Sequence, residues 1–356
     1  MKIGFIVQTL SGGGAERVVS VLSSEFANMS RFEPSVIIFF PKDSEYPTSE
    51  GVNRIYLFES EGAYRSASKY ERIKRIRDAV RVSDVKVVFP FLWFVGIYTQ
   101  IACLGLGVRI VQTVRNNPSL VPRTKTARVL RNWTLSISYG VFCQNREQFD
   151  YLPPRVRKKT KVVPNPVAEE FFDLHTEPSA GEKIVMFGRL EQQKNYPMML
   201  RVVQSLKKSG RIVGVEIYGE GSLAGELQNQ IDCTGLHDEV KLMGRTENPA
   251  EAMRGAALFV MTSAFEGMPN SLMEAMAAGL PCVSTDCPTG PADLIEDGID
   301  GYLIGVGDDC ALSKRIEALM SDSELRGRIG AAGRAKMSAL YKSDRIANEL
   351  ANCFLE

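Results

Sequence analysis

Strand-like and helical patterns alternate along the whole chain of 356 residues. Short runs rich in Val, Ile and Phe are followed by longer stretches in which apolar residues recur every three or four positions. This alternation predicts α/β architecture, with parallel sheets that carry helices on both faces. The predicted strands cover residues 2–9, 34–40, 52–57, 85–91, 109–114, 139–143, 160–163, 183–188, 213–219, 240–243, 257–261, 281–284 and 301–304.

The same patterns predict the helices and one break between two halves. A break is expected around residues 162–166, where two prolines flank Asn165, and a charged loop to Lys183 follows it. The apolar stretch 87–108 contains Pro90, polar residues and glycines, so it predicts a buried strand and a buried helix, not a membrane span. The main predicted helices cover residues 14–29, 69–81, 126–137, 196–209, 221–232, 249–255, 270–278, 310–321 and 323–339.

Composition excludes several classes of protein and site. The content of hydrophobic residues (44%) and of charged residues (24%) is ordinary for a globular protein. Seven scattered cysteines argue against a disulfide framework, and two histidines are too few for most histidine-built metal sites. The start of the chain is interpreted as a first strand, not a signal peptide.

Charge is distributed unevenly although the net charge is only +1. Residues 1–170 contain 25 Lys and Arg against 15 Asp and Glu, so the remainder of the chain is acidic. The basic residues concentrate in 65–86, 123–131 and 155–161. We therefore expect the first half to meet an anionic partner, and helix 69–81 is a candidate for contact with an anionic membrane surface.

The segment 259–295 carries two glutamates next to a helix start. Glu266 lies in a loop after an apolar strand, and Glu274 lies within the short predicted helix, whose first turn suits Pro269 and which Asn270 or Ser271 can cap. A helix N-terminus presents amides that favour phosphate.

The amides of this segment predict a phosphate seat built from Gly267, Asn270, Ser271 and Leu272. The Glu274 carboxylate can accept hydrogen bonds from vicinal hydroxyls such as those of a ribose. A phosphate seat beside a hydroxyl acceptor indicates a nucleotide, and most simply a nucleotide sugar.

Two further loops follow predicted strands. Gly13 and Gly14 open the first helix, where glycines let backbone approach a ligand closely, although the G-x-G-x-x-G spacing of dinucleotide sites is absent. Arg189 and Lys194 follow the strand 183–188, at the sheet edge where α/β proteins bind ligands.

The string FEGMPNSLMEAMAAGLPCVSTD closely resembles the E-G-x-P-x-S/G-L-x-E-A-M-A-x-G-x-P-V-V signature of the family 4 retaining glycosyltransferases. GRLEQQKNYPMML and the early G-G-A-E loop resemble two further family motifs. The resemblance implies a GT-B fold, in which two Rossmann-like domains face a cleft. It implies an acceptor-binding domain over 1–166, a nucleotide-sugar-binding domain over 167–340 and a last helix, 341–356, that crosses back to the first domain.

The resemblance also implies roles for individual residues. Many members of the family have a histidine after a first-domain strand, and Arg115 stands in its place here, with Asn116 beside it on the acceptor side. The catalytic group implied is Glu266, Arg189 and Lys194. The residues implied to bind the donor are Gly13, Gly14, Arg189, Lys194, Met243, Gly267, Asn270, Ser271, Leu272 and Glu274.

The predicted activity is retaining transfer of a hexose or N-acetylhexosamine from a nucleotide diphosphate sugar, UDP-linked, to a glycan or lipid-linked acceptor in polysaccharide synthesis. We expect no cofactor, no metal and no nucleic-acid partner, and a cytoplasmic location, peripheral to the inner face of the cell membrane. Two alternatives stay open: a nucleotide-sugar 2-epimerase of the same fold, and a non-catalytic protein that binds sugar nucleotides.

Overall fold

The computed structural model describes residues 1–174 and 183–355. The chain divides into two compact units. One consists of Met1–Pro166 together with Ser343–Glu356, and the other of Val167–Lys342. The end of the predicted charged loop, residues 175–182, and the last residue of the predicted terminal helix, Glu356, lie outside the described residues.

Each unit contains one parallel sheet, and every predicted strand is confirmed. The first unit has a seven-stranded sheet in the order β3-β2-β1-β4-β5-β6-β7, and the second a six-stranded sheet in the order β10-β9-β8-β11-β12-β13. The strands are β1 (Lys2–Val7), β2 (Glu33–Ile38), β3 (Asn53–Tyr56), β4 (Val87–Pro90), β5 (Arg109–Val114), β6 (Gly140–Cys143), β7 (Thr160–Val162), β8 (Lys183–Phe187), β9 (Gly214–Tyr218), β10 (Val240–Gly244), β11 (Leu258–Met261), β12 (Cys282–Thr285) and β13 (Tyr302–Ile304).

Helices follow nearly all of these strands. The helices of the described residues are α1 (Gly14–Asn28), α2 (Glu61–Ser66), α3 (Lys69–Ser83), α4 (Trp93–Ala102), α5 (Lys125–Ile137), α6 (Arg146–Asp150), α7 (Pro154–Arg157), α8 (Glu169–Phe172), α9 (Tyr196–Lys208), α10 (Ala224–Thr234), α11 (Pro249–Met253), α12 (Asn270–Ala277), α13 (Pro291–Leu294), α14 (Asp309–Ser321), α15 (Ser323–Leu340) and α16 (Ser343–Phe354).

The first sheet is buried on both faces. Phe5 of β1 packs with α1 and α16 on one face, whereas Ile6 packs with α3 and α4 on the other. Successive side chains of a strand point to opposite faces, so both faces need apolar residues, and this explains the nearly continuous apolar runs of the central strands.

Local signals fix where several helices begin. The Thr124 hydroxyl accepts a hydrogen bond from the Ala127 amide at 3.3 Å, so α5 begins at Lys125. Ser68 caps α3 in the same way. The short helices α2, α6, α7, α8 and α13 were not predicted, because four to six residues are too few for a helical period to show.

The apolar segment 87–108 is a strand followed by a helix, as predicted. Strand β4 is buried, and α4 after it has only ten residues. Within residues 1–174 and 183–355, no helix combines the length and the apolar character that crossing a bilayer requires.

Candidate functional site

The loops after β8 and β11, two neighbouring strands of the second sheet, bring a cation and a carboxylate together. Lys194 ends a 3-10 turn after β8, and Glu266 lies in the loop after β11. The Lys194 Nζ atom lies 2.7 Å from Glu266 Oε1. Their side chains are only 15% and 9% exposed, so the pair is screened little by water.

Three further contacts hold Glu266 in place. Ser263 Oγ donates a hydrogen bond to Glu266 Oε1 at 2.7 Å, and Gln193 Nε2 donates to Oε2 at 3.3 Å. The Thr289 hydroxyl donates to the Glu266 carbonyl. These donors on both oxygens hold the carboxylate in one orientation. Sequence reasoning missed Gln193, Ser263 and Thr289.

Neighbouring groups that could act as nucleophiles are kept protonated. Burial, and then the Glu266 charge, raise the pKa of the Cys287 thiol to about 12. The same two causes raise the pKa of Tyr196, whose hydroxyl donates to the Gly188 carbonyl at 2.8 Å. The charged groups at this point of the site are therefore Lys194 and Glu266.

Two glycines let the loops of this site approach each other. A Cβ on Gly188 would lie 2.7 Å from Lys194 Cε, so a side chain there would displace the lysine. Gly290 has φ of +103°, and a Cβ on it would lie 2.7 Å from the Gly267 carbonyl oxygen. The backbone at Gly267 is thus packed against that at Gly290.

Arg189 lies after the same strand as Lys194 but is arranged differently. It is exposed, and within the described part of the chain its side chain makes no ion pair or hydrogen bond. The structure therefore joins Lys194 to Glu266 and leaves Arg189 at the surface of the same sheet edge, open to a ligand.

The start of α12 differs from the prediction that Asn270 or Ser271 caps it. The N-cap residue is Pro269, which has φ of −77° and ψ of 103°, and no side chain caps the helix. Asn270 is already helical, because Pro269 supplies the extended conformation that precedes a helix. The Leu272 amide donates to the Pro269 carbonyl at 3.1 Å, so one of the four amides predicted to bind phosphate already has an acceptor.

Two other predicted donor-binding residues of the second unit are Glu274, on the same helix α12, and Met243, on β10. Glu274 is buried in the middle of α12. Met243 is exposed near the end of β10. Glutamates of amphipathic helices usually lie on the exposed side, so the burial of Glu274 is unusual.

The glycine loop of the first unit begins α1. Gly13 is the N-cap of that helix, and Gly12 before it has φ of +82°. The Glu16 carboxylate folds back onto Gly13, since a Cβ there would lie 2.1 Å from Glu16 Oε2. Gly14 is the first helical residue, as predicted.

Arg115 follows β5 and is held inside the first unit. Its guanidinium stacks over Phe91, 4.7 Å from the ring centre, and Nη2 donates to Asn165 Oδ1 at 2.6 Å. Nε and Nη1 are shielded from solvent and have no hydrogen-bond acceptor among the described residues. Burial lowers the pKa of Arg115 to about 9, and the charge of Glu16 opposes this.

A chain of amides positions Arg115. Asn165 Oδ1 also accepts a hydrogen bond from Gln144 Nε2 at 2.9 Å, and Gln144 Oε1 accepts one from Gln148 Nε2 at 3.0 Å. Asn116, the other acceptor-side residue predicted, uses its Oδ1 to accept from the Asn117 amide at 2.7 Å. Sequence reasoning interpreted Asn165 only as part of a domain break.

Within residues 1–174 and 183–355, no group of three or more His, Cys, Asp or Glu side chains is arranged to hold a metal ion. Arg189 and Lys194 are the cationic side chains that follow β8.

Two Rossmann-like units with parallel sheets are the mark of the GT-B class, and solved structures of that class resemble this chain. A sucrose-phosphate synthase from Thermosynechococcus elongatus superimposes with a TM-score of 0.85 at 17% identity and covers 99% of this chain and 97% of its own. A mutant of Staphylococcus aureus TarM, in complex with fondaparinux, α-GlcNAc-glycerol and UDP, gives 0.80 at 16% identity over the whole of both chains. Identities this low establish the fold alone.

The sequence establishes the family. Residues 167–336 match the family described as "Glycosyl transferases group 1". A Campylobacter jejuni α-1,4-N-acetyl-D-galactosaminyltransferase that acts on a GalNAc-α-(1→4)-GalNAc-α-(1→3)-diNAcBac-PP-undecaprenol is 30% identical, over 92% of this chain and 90% of its own. The Erwinia amylovora amylovoran biosynthesis glycosyltransferase AmsD is 22% identical over 91% of this chain and 92% of its own. The chain belongs to the group 1 glycosyltransferases and is an enzyme of that class, as the signature motifs predicted.

Proposed function

We propose that this enzyme is a retaining glycosyltransferase that moves a hexose or N-acetylhexosamine from a UDP-linked donor to a lipid-linked or polymeric acceptor in cell-surface glycan synthesis. The observation that supports it most is the fixed Lys194–Glu266 pair beside the exposed Arg189. The C. jejuni relatives are named for acceptors carried on diphospho-undecaprenol, and a structural neighbour from Anabaena is a complex with UDP and glucose.

The donor would be held through its diphosphate and its ribose. Arg189 and Lys194 supply positive charge for the diphosphate, and the amides at the start of α12 supply further donors. Glu274 would accept hydrogen bonds from the ribose hydroxyls, and the backbone after Met243 would receive the nucleobase. The glycine loop at Gly13 would lie over the diphosphate, as the family resemblance implies.

The chemical step breaks the bond between the anomeric carbon and the oxygen of the donor phosphate. The bonding electrons leave with the diphosphate, whose growing charge Lys194 and Arg189 stabilise. The acceptor hydroxyl then bonds to the same face of the anomeric carbon and gives its proton to the leaving phosphate oxygen. Charges balance without a metal ion or a cofactor.

Glu266 would act electrostatically in this step. Both of its oxygens already accept hydrogen bonds, Oε1 from Ser263 and Lys194 and Oε2 from Gln193. A carboxylate held in this way is a poor nucleophile but a good partner for positive charge at the anomeric carbon and for sugar hydroxyls. This supports front-face attack over a covalent intermediate on Glu266.

Arg115 and Asn116 would serve the acceptor. The shielded Nε and Nη1 atoms of Arg115 are donors without acceptors among the described residues, so an anionic oxygen would complete their hydrogen bonds. The diphosphate of a lipid-linked glycan has such oxygens. A lipid-linked acceptor would also keep the enzyme at the inner face of the cell membrane.

A transfer assay tests the proposal. The purified enzyme is incubated with single UDP-sugars, with and without a polyprenyl diphosphate-linked oligosaccharide, and products are identified by mass spectrometry and NMR. We expect one UDP-sugar to be consumed in an acceptor-dependent manner with retained α-configuration. Isomerisation of the donor without acceptor would indicate a 2-epimerase, and binding without consumption would indicate a non-catalytic protein.

A further inference from the structure

Helix α5 of the first unit has an apolar face that the described residues leave largely exposed. Val129 is 69% exposed, Trp133 49%, Ile137 45% and Leu130 43%. Val129, Trp133 and Ile137 follow one another at intervals of four, and Leu130 precedes Trp133 by three, so the four side chains share one side of the helix. The opposite side carries Leu135, which packs in the core.

The chain around this face carries more positive than negative charge. Residues 85–146 contain no Asp or Glu, whereas Arg123 and Lys125 stand at the start of α5. Both are exposed, and neither makes a side-chain hydrogen bond or ion pair within the described residues. Exposed Arg155 lies on α7, which packs beside α5.

Helix α3, the membrane candidate of the sequence analysis, is arranged differently. Ile76 and Val80 of its apolar side are buried in the first unit's core. Three of its arginines donate to backbone carbonyls: Arg72 to that of Tyr64, Arg75 to that of Leu57 and Arg77 to that of Ala102. These arginines hold neighbouring loops and are less available to lipid headgroups than Arg123 and Lys125.

We propose that the apolar face of α5 (Val129, Leu130, Trp133 and Ile137) docks on the surface of an anionic phospholipid bilayer. A helix that carries Trp and aliphatic residues on one side, with Lys and Arg at its edge, inserts its apolar side into the headgroup boundary. Anionic headgroups match the excess of positive charge. Four side chains of one helix present less area than the roughly 800 Å² per partner that a stable protein complex buries.

Docking here would act directly on the acceptor side. Arg131 of α5 donates to the carbonyls of Pro118, at 2.8 Å, and Val121, at 2.5 Å. These residues belong to the loop that follows Arg115 and Asn116. A bilayer bound to α5 would therefore hold the acceptor-side loop beside the lipids. The binding does not depend on the proposed function, whereas its use in capturing a lipid-linked acceptor rests on it.

Tryptophan fluorescence tests the docking at the face itself. The chain has two tryptophans, Trp93 and Trp133, so Trp93→Phe leaves only the reporter on α5. We expect its emission to shift to shorter wavelength with phosphatidylglycerol-containing vesicles and to be quenched by brominated lipids. Phosphatidylcholine vesicles alone should give a much smaller change, and the shift should weaken as salt is raised. An unchanged spectrum with anionic vesicles would overturn the proposal.

Vesicle co-sedimentation of matched variants tests the specificity. Val129→Ser/Trp133→Ser should lower the affinity for anionic vesicles at least about tenfold, since burial of apolar side chains drives insertion. The control is Tyr70→Ser/Val82→Ser, which removes two exposed apolar residues of basic helix α3, 76% and 86% exposed, and should change little. Equal losses in the two variants would contradict docking through α5.

Three further measurements separate the alternatives. The thermal unfolding temperature should be unchanged in both double variants, because the two substituted positions in each variant are exposed. If light scattering finds a dimer that Val129→Ser/Trp133→Ser dissociates, the face is an interface between copies and the proposal is wrong. Transfer to a water-soluble, short-chain acceptor should survive the α5 substitutions. If the α5 variant no longer binds vesicles but still transfers sugar to the soluble acceptor, the result supports docking. If the wild type transfers sugar to no acceptor, the result contradicts only the proposed function.

Discussion

The Lys194 ammonium lies 2.7 Å from the Glu266 carboxylate, although the two residues are 72 positions apart in the chain. Each comes from the loop after a different strand, and the strands are neighbours in the second sheet. Because Ser263 and Gln193 also donate to Glu266, the pair is part of a prearranged polar site. In the proposed function, this site stabilises the charge that develops during transfer.

Lys194 and Arg189 should differ in what their loss does to stability. We expect Lys194→Ala and Arg189→Ala each to lower kcat on the order of 100-fold, since in the proposed function both stabilise the charge that develops on the diphosphate. Only Lys194→Ala should lower the free energy of unfolding, by about 1–3 kcal/mol, because it leaves the buried Glu266 carboxylate without its cation. Arg189 is exposed, so its loss should stay within about 0.5 kcal/mol.

Steady-state kinetics and urea unfolding of both variants measure these effects. A near-normal rate in either variant would remove that residue from the diphosphate site. An equal loss of stability in both variants would show that the Lys194–Glu266 ion pair contributes no more to the free energy of unfolding than the exposed Arg189 does.

Glu274→Gln should weaken nucleotide binding without unfolding the protein. The amide keeps the shape of the buried side chain on α12 but loses the charge that favours hydroxyl donors. We expect a loss of roughly 1.5–3 kcal/mol, or tenfold or more in the dissociation constant of UDP. Isothermal titration measures it. Unchanged UDP affinity would exclude Glu274 from the ribose site.

Arg115→Met should stabilise the protein while it impairs acceptor use. Two shielded guanidinium nitrogens have no acceptor in the described structure, so the charge is held at a cost in folding free energy. A methionine stacked over Phe91 removes that cost, and we expect a gain of about 1 kcal/mol or more at neutral pH. The KM for acceptor should rise, with the affinity for UDP unchanged.

The gain from Arg115→Met has a defined pH dependence. The pKa of Arg115 is lowered to about 9 in the folded state, so the folded guanidinium is charged below that pH and the cost is fully present there. As pH rises through about 9 the folded state sheds the proton first, the wild type recovers stability, and the difference should shrink. A difference that grows with pH would contradict the burial argument.

Asn165→Asp offers a matched test of the same group. A carboxylate in place of the amide would pair with Arg115 Nη2 and neutralise it without changing the shape of the site. We expect acceptor affinity to fall as in Arg115→Met while the enzyme is at least as stable as the wild type. An unchanged KM for the acceptor in this variant would show that the acceptor does not bind at Arg115.

Activity should persist in chelator. In the proposed function, Arg189 and Lys194 would take the role that a metal ion has in transferases that hold the diphosphate through carboxylates. We expect the rate to be unchanged after dialysis against EDTA. A complete loss that a divalent cation restores would overturn the metal-free account.

The fold could be predicted from the sequence because its signals are repeated. Most of the thirteen strands in the described residues are short apolar runs such as 109–114, helices follow nearly all of them, and the strands pair in parallel. The short helices α2 and α6 were missed because a single turn leaves no period. The predicted N-cap of α12 was wrong because a proline is compatible with both the N-cap and the first turn. The sequence alone does not show which of these positions Pro269 occupies.

The site could be predicted only where residues cluster in the sequence. Glu266, Arg189 and Lys194 lie in motifs, but the pairing of Lys194 with Glu266 does not follow from spacing, since it depends on which strands are neighbours. Gln193 and Ser263 are ordinary polar residues whose role appears only through their contact with Glu266.

The environment of Arg115 could not be predicted from the sequence for the same reason. Its partner Asn165 is 50 positions away and Gln144 reaches it only through Asn165. The apolar side of α5 has a helical period like that of any packed helix, and only the structure shows that Trp133 is exposed.

The most direct test compares acceptor-dependent release of UDP by the wild type with that by Glu266→Gln and Lys194→Ala. We expect the wild type to transfer sugar from one UDP-sugar with retained α-configuration, and both variants to bind UDP yet lose roughly 100-fold or more in rate. Consumption of no UDP-sugar by the wild type, inversion at the anomeric carbon, or a normal rate in both variants would contradict the account.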